Sequence, residues 1–447
     1  MSDTIDQSKL TERASALVDA ALKAGADVAD AVVVSAVSLG VEVRLGEVEE
    51  TERAESDDFA LRVFVGKQVA TVSANTIDNM TALAERAVAT ARVAPEEPYA
   101  QLAPVDRLAT DWPDLDLSDP EQPTIEQLTK SALTAEQAAL AMSGITNSGG
   151  ATGSWRLGGL VLATSHGFLG TQLSTRHAIS ATAVAGEGTA MERDYDYSMT
   201  VHGGDLDNAE KIGHLAAERA LRRLNPTKMA TGTGTVIFDP RVSGTLIGHL
   251  AGAVNGASIA RGTSFLKDHL GKQLFSPNIT ISDDPHRVRG LGSRPFDGEG
   301  VATSALDIVS GGTLNCWLLD TATAAELGLE TNGRAGRGGA SPSPSTSNLT
   351  LHNGEETPDN LISAVKSGIY VTDLIGHGVN GVTGDYSRGA AGFVITDGQL
   401  GPAVSEITIA GNLKDMYAAL VPANDLEYRF STNAPTVAVE GMTIAGK

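Results

Sequence analysis

The sequence is poor in cysteine, in positive charge and in long apolar runs. Cys316 is the single cysteine among 447 residues, so neither an intramolecular disulfide nor a cysteine-based metal cluster can form, and we expect a reducing compartment. Lysine and arginine number 33 against 55 aspartates and glutamates, and the net charge of −22 repels phosphate backbones. Direct binding of nucleic acid is therefore not expected.

Membrane-directing segments are also missing from the sequence. No run of about 18 apolar residues occurs, and the N-terminus lacks a basic stretch followed by an apolar one. The hydrophobic fraction of 41% and the mean hydropathy of −0.04 are typical of soluble globular proteins. We therefore predict a cytoplasmic protein that does not associate with membranes.

The sequence shows no zinc-peptidase motif. Such enzymes usually place two histidines on one face of a helix beside a glutamate that activates a metal-bound water. No two of the nine histidines are three, four or five residues apart. A Gly-x-Ser-x-Gly elbow and a phosphate-binding Walker A loop are absent too. We therefore predict no metal and no cofactor in this chain.

Isolated polar residues have simpler interpretations. Cys316 lies in the apolar run TLNCWLLD, which favours a buried structural thiol over a nucleophile. His249 lies in LIGHLAG, where a hydrogen-bonded packing role is favoured over metal ligation. Asp283, Asp284 and His286 belong to DDPH, which indicates a turn rather than a metal cluster.

The length exceeds one ordinary domain of roughly 100–200 residues, and the patterns predict an α+β fold in two domains. The first, an α/β-layered domain over residues 1–226, begins with an amphipathic helix that ends at Gly25. Two hairpins follow, one about Leu39–Gly40 and one about Gly66–Lys67, and then a helix from Thr76 to Arg92.

A proline-rich connector over residues 94–123 favours extended surface chain. Helices are predicted for 124–142 and 206–224, with antiparallel strands at 159–164, 168–173 and 178–185 between them. The second domain, 227–447, opens with a strand at 234–238 and a helix at 240–254 and is β-rich afterwards. Its low-complexity stretch, 332–347, is interpreted as a mobile surface loop or as a loop that orders against a partner or peptide.

Several tracts of the second half resemble the TldD/PmbA metallopeptidase family, also called modulators of DNA gyrase, and specifically its PmbA (TldE) branch. They are ASIARGTSFLKDHLGKQLF (257–275), DDPHRVRGLGSRPFDGEGVAT (283–303), LLDTATAAELGLETNG (318–333), DYSRGAAGF (385–393), EITIAGNLKDM (406–416) and EGMTIAGK (440–447). In the TldD branch a His-Glu-x-x-x-His motif precedes the Arg-Gly-Thr-Ser tract. Here the matching positions hold Ile247, Gly248 and Gly252. The C-terminal cysteine ligand of TldD-like chains is absent from STNAPTVAVEG.

The resemblance implies a metal-free, non-catalytic subunit that completes a chamber with a zinc-binding TldD-like partner. The family activity is cleavage of unfolded proteins and peptides, including peptide maturation and antitoxin degradation. Two alternatives stay open: an independent peptidase, and a homodimeric regulatory or binding protein without proteolytic activity. The metal-free subunit is also expected to form a homodimer when its TldD-like partner is absent.

The candidate residues for substrate or interface binding lie in glycine-rich segments. We expect Asp385, Tyr386, Ser387 and Arg388 to form a turn in which Asp385 orients Arg388 and Tyr386 packs beneath it. The other candidates are His377, Asn380 and Arg294, the last beside Asp297 and Glu299. Each also has a purely structural interpretation, as a turn brace or loop cap.

Overall fold

The computed structural model describes residues 5–77, 79–337 and 341–446 of the chain. Its fold is α+β, as the sequence predicts, with a helix-covered sheet first and a strand-rich half afterwards. In these residues no helix combines the length and the apolar character needed to cross a membrane.

The helices begin where the sequence supplies a side chain that caps the first turn. The N-cap side chains, which accept hydrogen bonds from first-turn amides, belong to Asp6, Asn79, Thr124, Asn208, Asp239, Asn255, Asp320, Thr357 and Asn412. The helices that follow them are α1 (Gln7–Lys23), α2 (Met80–Ala91), α3 (Ile125–Leu140), α4 (Ala209–Arg222), α5 (Pro240–Ala253), α6 (Gly256–Ala260), α7 (Thr321–Leu327), α8 (Pro358–Ser363) and α9 (Leu413–Ala418).

A six-stranded antiparallel sheet is the centre of the N-terminal half. Its strands are β1 (Val28–Arg44), β2 (Glu47–Val65), β3 (Gln68–Ala74), β4 (Ile145–Thr164), β5 (Leu169–Ala185) and β6 (Glu192–Thr200), in the order β3-β2-β1-β4-β5-β6. Side chains alternate between the faces of a strand, and the odd-numbered apolar residues of β1 from Ala29 to Val43 pack under the helices α1 to α4. Val32, on the other face, belongs to a core cluster with Phe168 and with Phe296 of the C-terminal half.

The predicted hairpin about Leu39–Gly40 is wrong. Gly40 lies inside the continuous strand β1, where it pairs with Glu52 of β2 on one side and Ser154 of β4 on the other. The chain turns instead at Leu45 and Gly46, both with positive φ. The hairpin between β2 and β3 is confirmed, and strands predicted for 168–173 and 178–185 are one strand, β5.

A closed ring of five strands forms the C-terminal half. Its members are β7 (Gly232–Phe238), β14 (Ser367–Ile375), β15 (Asp385–Thr396), β16 (Gln399–Asn412) and β19 (Val437–Ala445). The order runs β16-β15-β14-β7-β19, and β19 pairs back to β16 at Thr408 to Ala410, which closes the ring. A short strand β17 (Leu420–Pro422) pairs with β19 on the outside.

The parallel pair β7 and β14 is joined by a long crossover that contains α5 and all strands of a second sheet except β18 (Thr432–Asn433). That sheet consists of β8 (Ile281–Asp283), β9 (Leu306–Ser310), β10 (Thr313–Leu314), β13 (Leu349–Leu351) and β18 (Thr432–Asn433), and a two-residue pair joins β11 (Ala335–Gly336) to β12 (Ser343–Pro344). Helix α5 lies between the ring and this sheet, with Leu246, Ile247 and Leu250 in the largest core. The ring and the sheet therefore hold both sides of α5.

Two irregular segments are more tightly packed than their composition suggests. The connector 94–123 has only a short 3-10 turn, Val105–Arg107, as regular helix, but it buries Leu102, Leu115 and Leu117. In the low-complexity stretch, Arg334 is fully buried, which contradicts a mobile surface loop at that position. Residues 338–340 of that prediction lie outside the described residues. The domain boundary at Pro226, between α4 and β7, stays a prediction.

Candidate functional site

Helix α5 carries the three positions at which the resemblance places the two histidines and the glutamate of the zinc motif. The helix begins directly after strand β7, with Asp239 as its cap and Pro240 in its first turn. Ile247 is 0% exposed and belongs to the core, whereas Gly248 and Gly252 are exposed. A Cβ atom added at either glycine would meet no atom within 4 Å. The two glycines therefore face open space and Ile247 does not.

These residues do not fit a zinc ion. Ile247, Gly248 and Gly252 have no side-chain donor atoms, and His249 alone brings a ring nitrogen to this part of the helix. In the described ranges, no group of three or more histidine, cysteine, aspartate or glutamate side chains could hold a metal ion. No chemical step through zinc is derived from this chain.

The segment from Asp385 to Arg388 is the start of strand β15, so the predicted turn is wrong. The turn precedes it, where Gly384 has a φ of +83°. Asp385 is exposed and accepts hydrogen bonds from Thr383 Oγ1 at 2.6 Å and Asn412 Nδ2 at 3.2 Å, which lower the pKa of its carboxyl. Alternation along the strand puts Asp385 and Arg388 on opposite faces. Asp385 therefore does not orient Arg388, contrary to expectation.

Tyr386 and Arg388 share the face of β15 that is turned toward α5. Tyr386 is 1% exposed, and its ring lies edge-on to the His249 ring with centroids 6.0 Å apart. Arg388 is half-buried, and its charge lies close enough to act on both rings. We call His249, Tyr386 and Arg388 the Arg388 cluster.

Each member of the Arg388 cluster has a buried polar atom without a hydrogen-bond partner in the described residues. These atoms are His249 Nε2, Tyr386 Oη and Arg388 Nε. The expected hydrogen-bonded packing role of His249 is thus not supported at Nε2. Burial is the main cause of the lowered pKa of His249, and it outweighs the opposing effect of Arg388 at Tyr386, whose pKa is raised.

The other candidates of the same region lie in the loop before β15. His377 and Asn380 are both exposed. Asn380 Oδ1 accepts hydrogen bonds from the Val382 amide at 2.9 Å and the Thr383 amide at 3.3 Å. Asn380 therefore caps this loop, and Ser387, exposed on β15, donates its backbone amide to Gly378 O at 2.7 Å.

Arg294 lies apart from these residues in the chain and makes structural contacts. Its Nη1 donates to Ala335 O at 3.1 Å, and its Nη2 donates to Ser345 O at 3.2 Å. The neighbouring Asp297 accepts the Ala335 amide at 3.1 Å instead of binding Arg294. Arg294 thus binds two carbonyls of the low-complexity stretch and fixes that stretch to the segment between β8 and β9.

A buried charge network, unforeseen from the sequence, joins the two halves of the chain. Asp30 of β1 accepts from Arg62 Nε at 2.9 Å and from Arg337 Nη2 at 2.5 Å. Glu299 Oε1 lies 3.7 Å from Arg62 Nη2, and Glu299 Oε2 accepts the Thr321 amide at 2.8 Å. Burial, and then the charge of Asp297, raise the pKa of Glu299 to about 7.

The sequence contained no signal for either arrangement. His249 and Arg388 are separated by more than a hundred residues, and Asp30 and Arg337 by 307. No local motif relates residues at such distances. Which arginines pair with a carboxylate, and that Arg388 does not within the described residues, becomes visible only in the fold.

Comparison with protein families places the whole chain beside one group. Models of the PmbA/TldA metallopeptidase family match three segments: domain 1 at 29–91, the central domain at 118–224 and the C-terminal domain at 231–446. A relative from Escherichia coli O157:H7, named Metalloprotease PmbA, is 39% identical over 99% of this chain and 97% of its own length. A PmbA homologue from Haemophilus influenzae is 37% identical, with 98% and 97% covered.

Solved structures agree with the fold. A protein from Bacteroides thetaiotaomicron, named as a modulator of DNA gyrase, superposes with a TM-score of 0.91 at 29% identity, covering 99% of this chain and 100% of that one. TldE from Thermococcus kodakarensis superposes with a TM-score of 0.86 over 97% and 99% of the two chains. Its identity of 19% supports the fold alone.

Proposed function

The chain belongs to the PmbA/TldA metallopeptidase family, and from that premise we propose that it is the metal-free, non-catalytic subunit of a zinc peptidase complex. A TldD-like partner supplies the zinc, and the complex acts on unfolded proteins and peptides, in peptide maturation or antitoxin degradation. This chain contributes a surface that completes the chamber and holds an extended peptide.

The observation that carries the proposal is the surface of α5. Ile247 is in the core, and Gly248 and Gly252 offer no ligand atom. Within the described part of the chain, His249 is not one of three or more clustered side chains that could hold a metal ion. A peptidase that uses zinc needs three protein ligands and a base, and this helix supplies neither.

A free strand edge supports the peptide-holding role. Strand β3 covers only the Phe59–Val65 part of β2, so the outer edge of residues 47–58 has no strand partner within the described ranges. The same residues are exposed on nearly their whole length. Such an edge offers backbone amides and carbonyls to an extended peptide that adds as a further strand.

The decisive experiment compares this chain alone, the TldD-like subunit alone and the mixture. We expect far less than one zinc per purified chain by elemental analysis, and no cleavage of an unfolded test peptide until the partner is added. Stoichiometric zinc with chelator-sensitive cleavage by this chain alone would establish the independent peptidase instead.

Assembly separates the proposal from the homodimeric regulator. We expect the chain to co-purify with the TldD-like subunit through an interface above the lower range of about 1,200 Å² for specific complexes, and to self-associate without it. Light scattering measures both states. A chain that is monomeric both alone and in the mixture contradicts the proposal. A homodimer that does not bind the TldD-like subunit supports the homodimeric regulatory protein instead.

A further inference from the structure

Arg388 differs from several buried or half-buried arginines of this fold that lie against a carboxylate: Arg62 with Asp30, Arg219 with Asp196, Arg241 with Asp194 and Arg334 with Asp283. Arg294 also lies away from a carboxylate, but its guanidinium donates to the carbonyls of Ala335 and Ser345. Arg388 makes no ion pair within the described residues, and its Nε is buried without a hydrogen-bond partner. In a chain of net charge −22, this guanidinium is left without an anion.

Two further polar groups lie close to Arg388. Tyr386 Oη and His249 Nε2 are likewise buried and unpartnered. The charge of Arg388 acts on both His249 and Tyr386, which places it close to the two rings. A buried polar group without a hydrogen-bond partner costs free energy. A ligand that forms hydrogen bonds with this cluster removes that cost, which favours its binding.

The helix beside the cluster leaves room for such a ligand. Gly248 and Gly252 flank His249 on α5, both are exposed, and a Cβ at either position would contact nothing within 4 Å. Arg388 is half-buried, and its charge acts on His249, the residue that follows Gly248 on α5. The planar guanidinium matches the two oxygens of a carboxylate.

We propose that the Arg388 cluster binds a carboxylate of a peptide, either an acidic side chain or the C-terminal carboxylate, over Gly248 and Gly252. This inference deepens the proposed function and rests on it for the nature of the ligand. A polyanion such as a nucleic acid is disfavoured by the net charge of the protein, while a single carboxylate meets a single guanidinium.

The test is a binding titration on the isolated full-length chain. The probes are N-terminally dansylated hexapeptides of alternating alanine and valine in three forms: a free C-terminus, a C-terminal amide, and an amide with a central glutamate. We expect the two carboxylate forms to bind about tenfold or more tightly than the plain amide. Comparing the affinities of the two carboxylate forms shows whether the terminal or the side-chain carboxylate is preferred.

Variants assign the preference to the cluster. Arg388→Ala is expected to remove the discrimination, an about ten- to hundredfold loss for the carboxylate peptides only, and Arg388→Lys to keep part of it. Tyr386→Phe is expected to weaken the same peptides a few-fold. The matched control is Arg86→Ala, which removes the same charge from the exposed side of α2. Melting curves of each variant verify that it is folded.

The outcomes separate this inference from the proposed function. Equal binding of all three probes, or discrimination that survives in Arg388→Ala, overturns the carboxylate site, even if the mixture with the TldD-like subunit cleaves peptides. Carboxylate discrimination that disappears in Arg388→Ala supports the site even if the mixture is inactive. Competition by inorganic phosphate, with no preference among the peptides, shows a general anion site and overturns the peptide assignment.

Discussion

Replacing Glu299 by glutamine is expected to change how the stability of the protein depends on pH. Glu299 is 2% exposed, with Arg62 and the Thr321 amide as neighbours and Asp297 as a like charge nearby. Burial and Asp297 raise its pKa from 4.5 to about 7. The folded protein therefore holds this proton more tightly than the unfolded chain does.

The sign follows from that difference. The stabilisation linked to the Glu299 proton is complete below the unfolded value of 4.5 and is lost as the pH rises through about 7. A shift of this size corresponds to about 3 kcal/mol, because one pKa unit is worth about 1.4 kcal/mol. The amide side chain introduced by Glu299→Gln would keep an oxygen for the Thr321 amide and carry no charge at any pH.

We therefore expect Glu299→Gln to match the parent protein near pH 5 and to exceed its unfolding free energy by up to about 3 kcal/mol near pH 8.5. Urea unfolding at pH 5 to 8.5, followed by fluorescence and by circular dichroism, measures the difference and reveals intermediates. The control is Glu97→Gln, an exposed carboxylate. A constant difference between the Glu299→Gln and parent curves over this pH range would refute the reasoning.

Two further predictions concern buried groups. Asp283→Ala leaves Arg334 charged, fully buried and without its 2.6 Å carboxylate contact, so urea unfolding should show a loss of about 3–5 kcal/mol. The matched change Asp57→Ala, at the partly exposed 3.5 Å pair with Arg13, should cost less than about 1 kcal/mol, and equal losses would contradict the burial argument. Burial raises the pKa of the Cys316 thiol to about 11, so iodoacetamide at pH 8 should modify it much more slowly in the folded protein than in urea. Mass spectrometry of timed samples measures both rates, and equal rates would show a reactive thiolate.

Local signals predicted the elements that are decided locally. The helices predicted for Thr76 to Arg92 and for 124–142 contain α2 and α3, which are shorter by only a few residues at their ends. The prediction of a turn at Leu39–Gly40 is wrong because a glycine marks a turn only where its backbone is not paired with neighbouring strands. Here neighbouring strands bind Gly40 on both sides, and this tertiary pairing overrides the local preference.

The candidate site was predicted only in its individual residues. Tyr386, Arg388 and His249 were each named, but the contact of His249 with Tyr386 was not predicted, because it depends on the crossover that returns the chain from β7 to β14. The opposite orientation of Asp385 follows from a strand period of two residues, whereas the glycine-rich composition indicated a turn. Residues that are distant in the chain and meet only through the connections of the fold leave no local pattern in the sequence.

Closure of the five-strand ring by β19 has a consequence for synthesis of the protein. Strand β7 appears early in the C-terminal half, yet one of its neighbours, β19, ends at Ala445. While a ribosome is still producing the chain, β7 and β16 must wait with open edges, which are the surfaces on which nascent chains aggregate. The ring cannot close before the residues up to Ala445 have left the ribosome, so these edges stay open while the segments between β7 and β19 are being made.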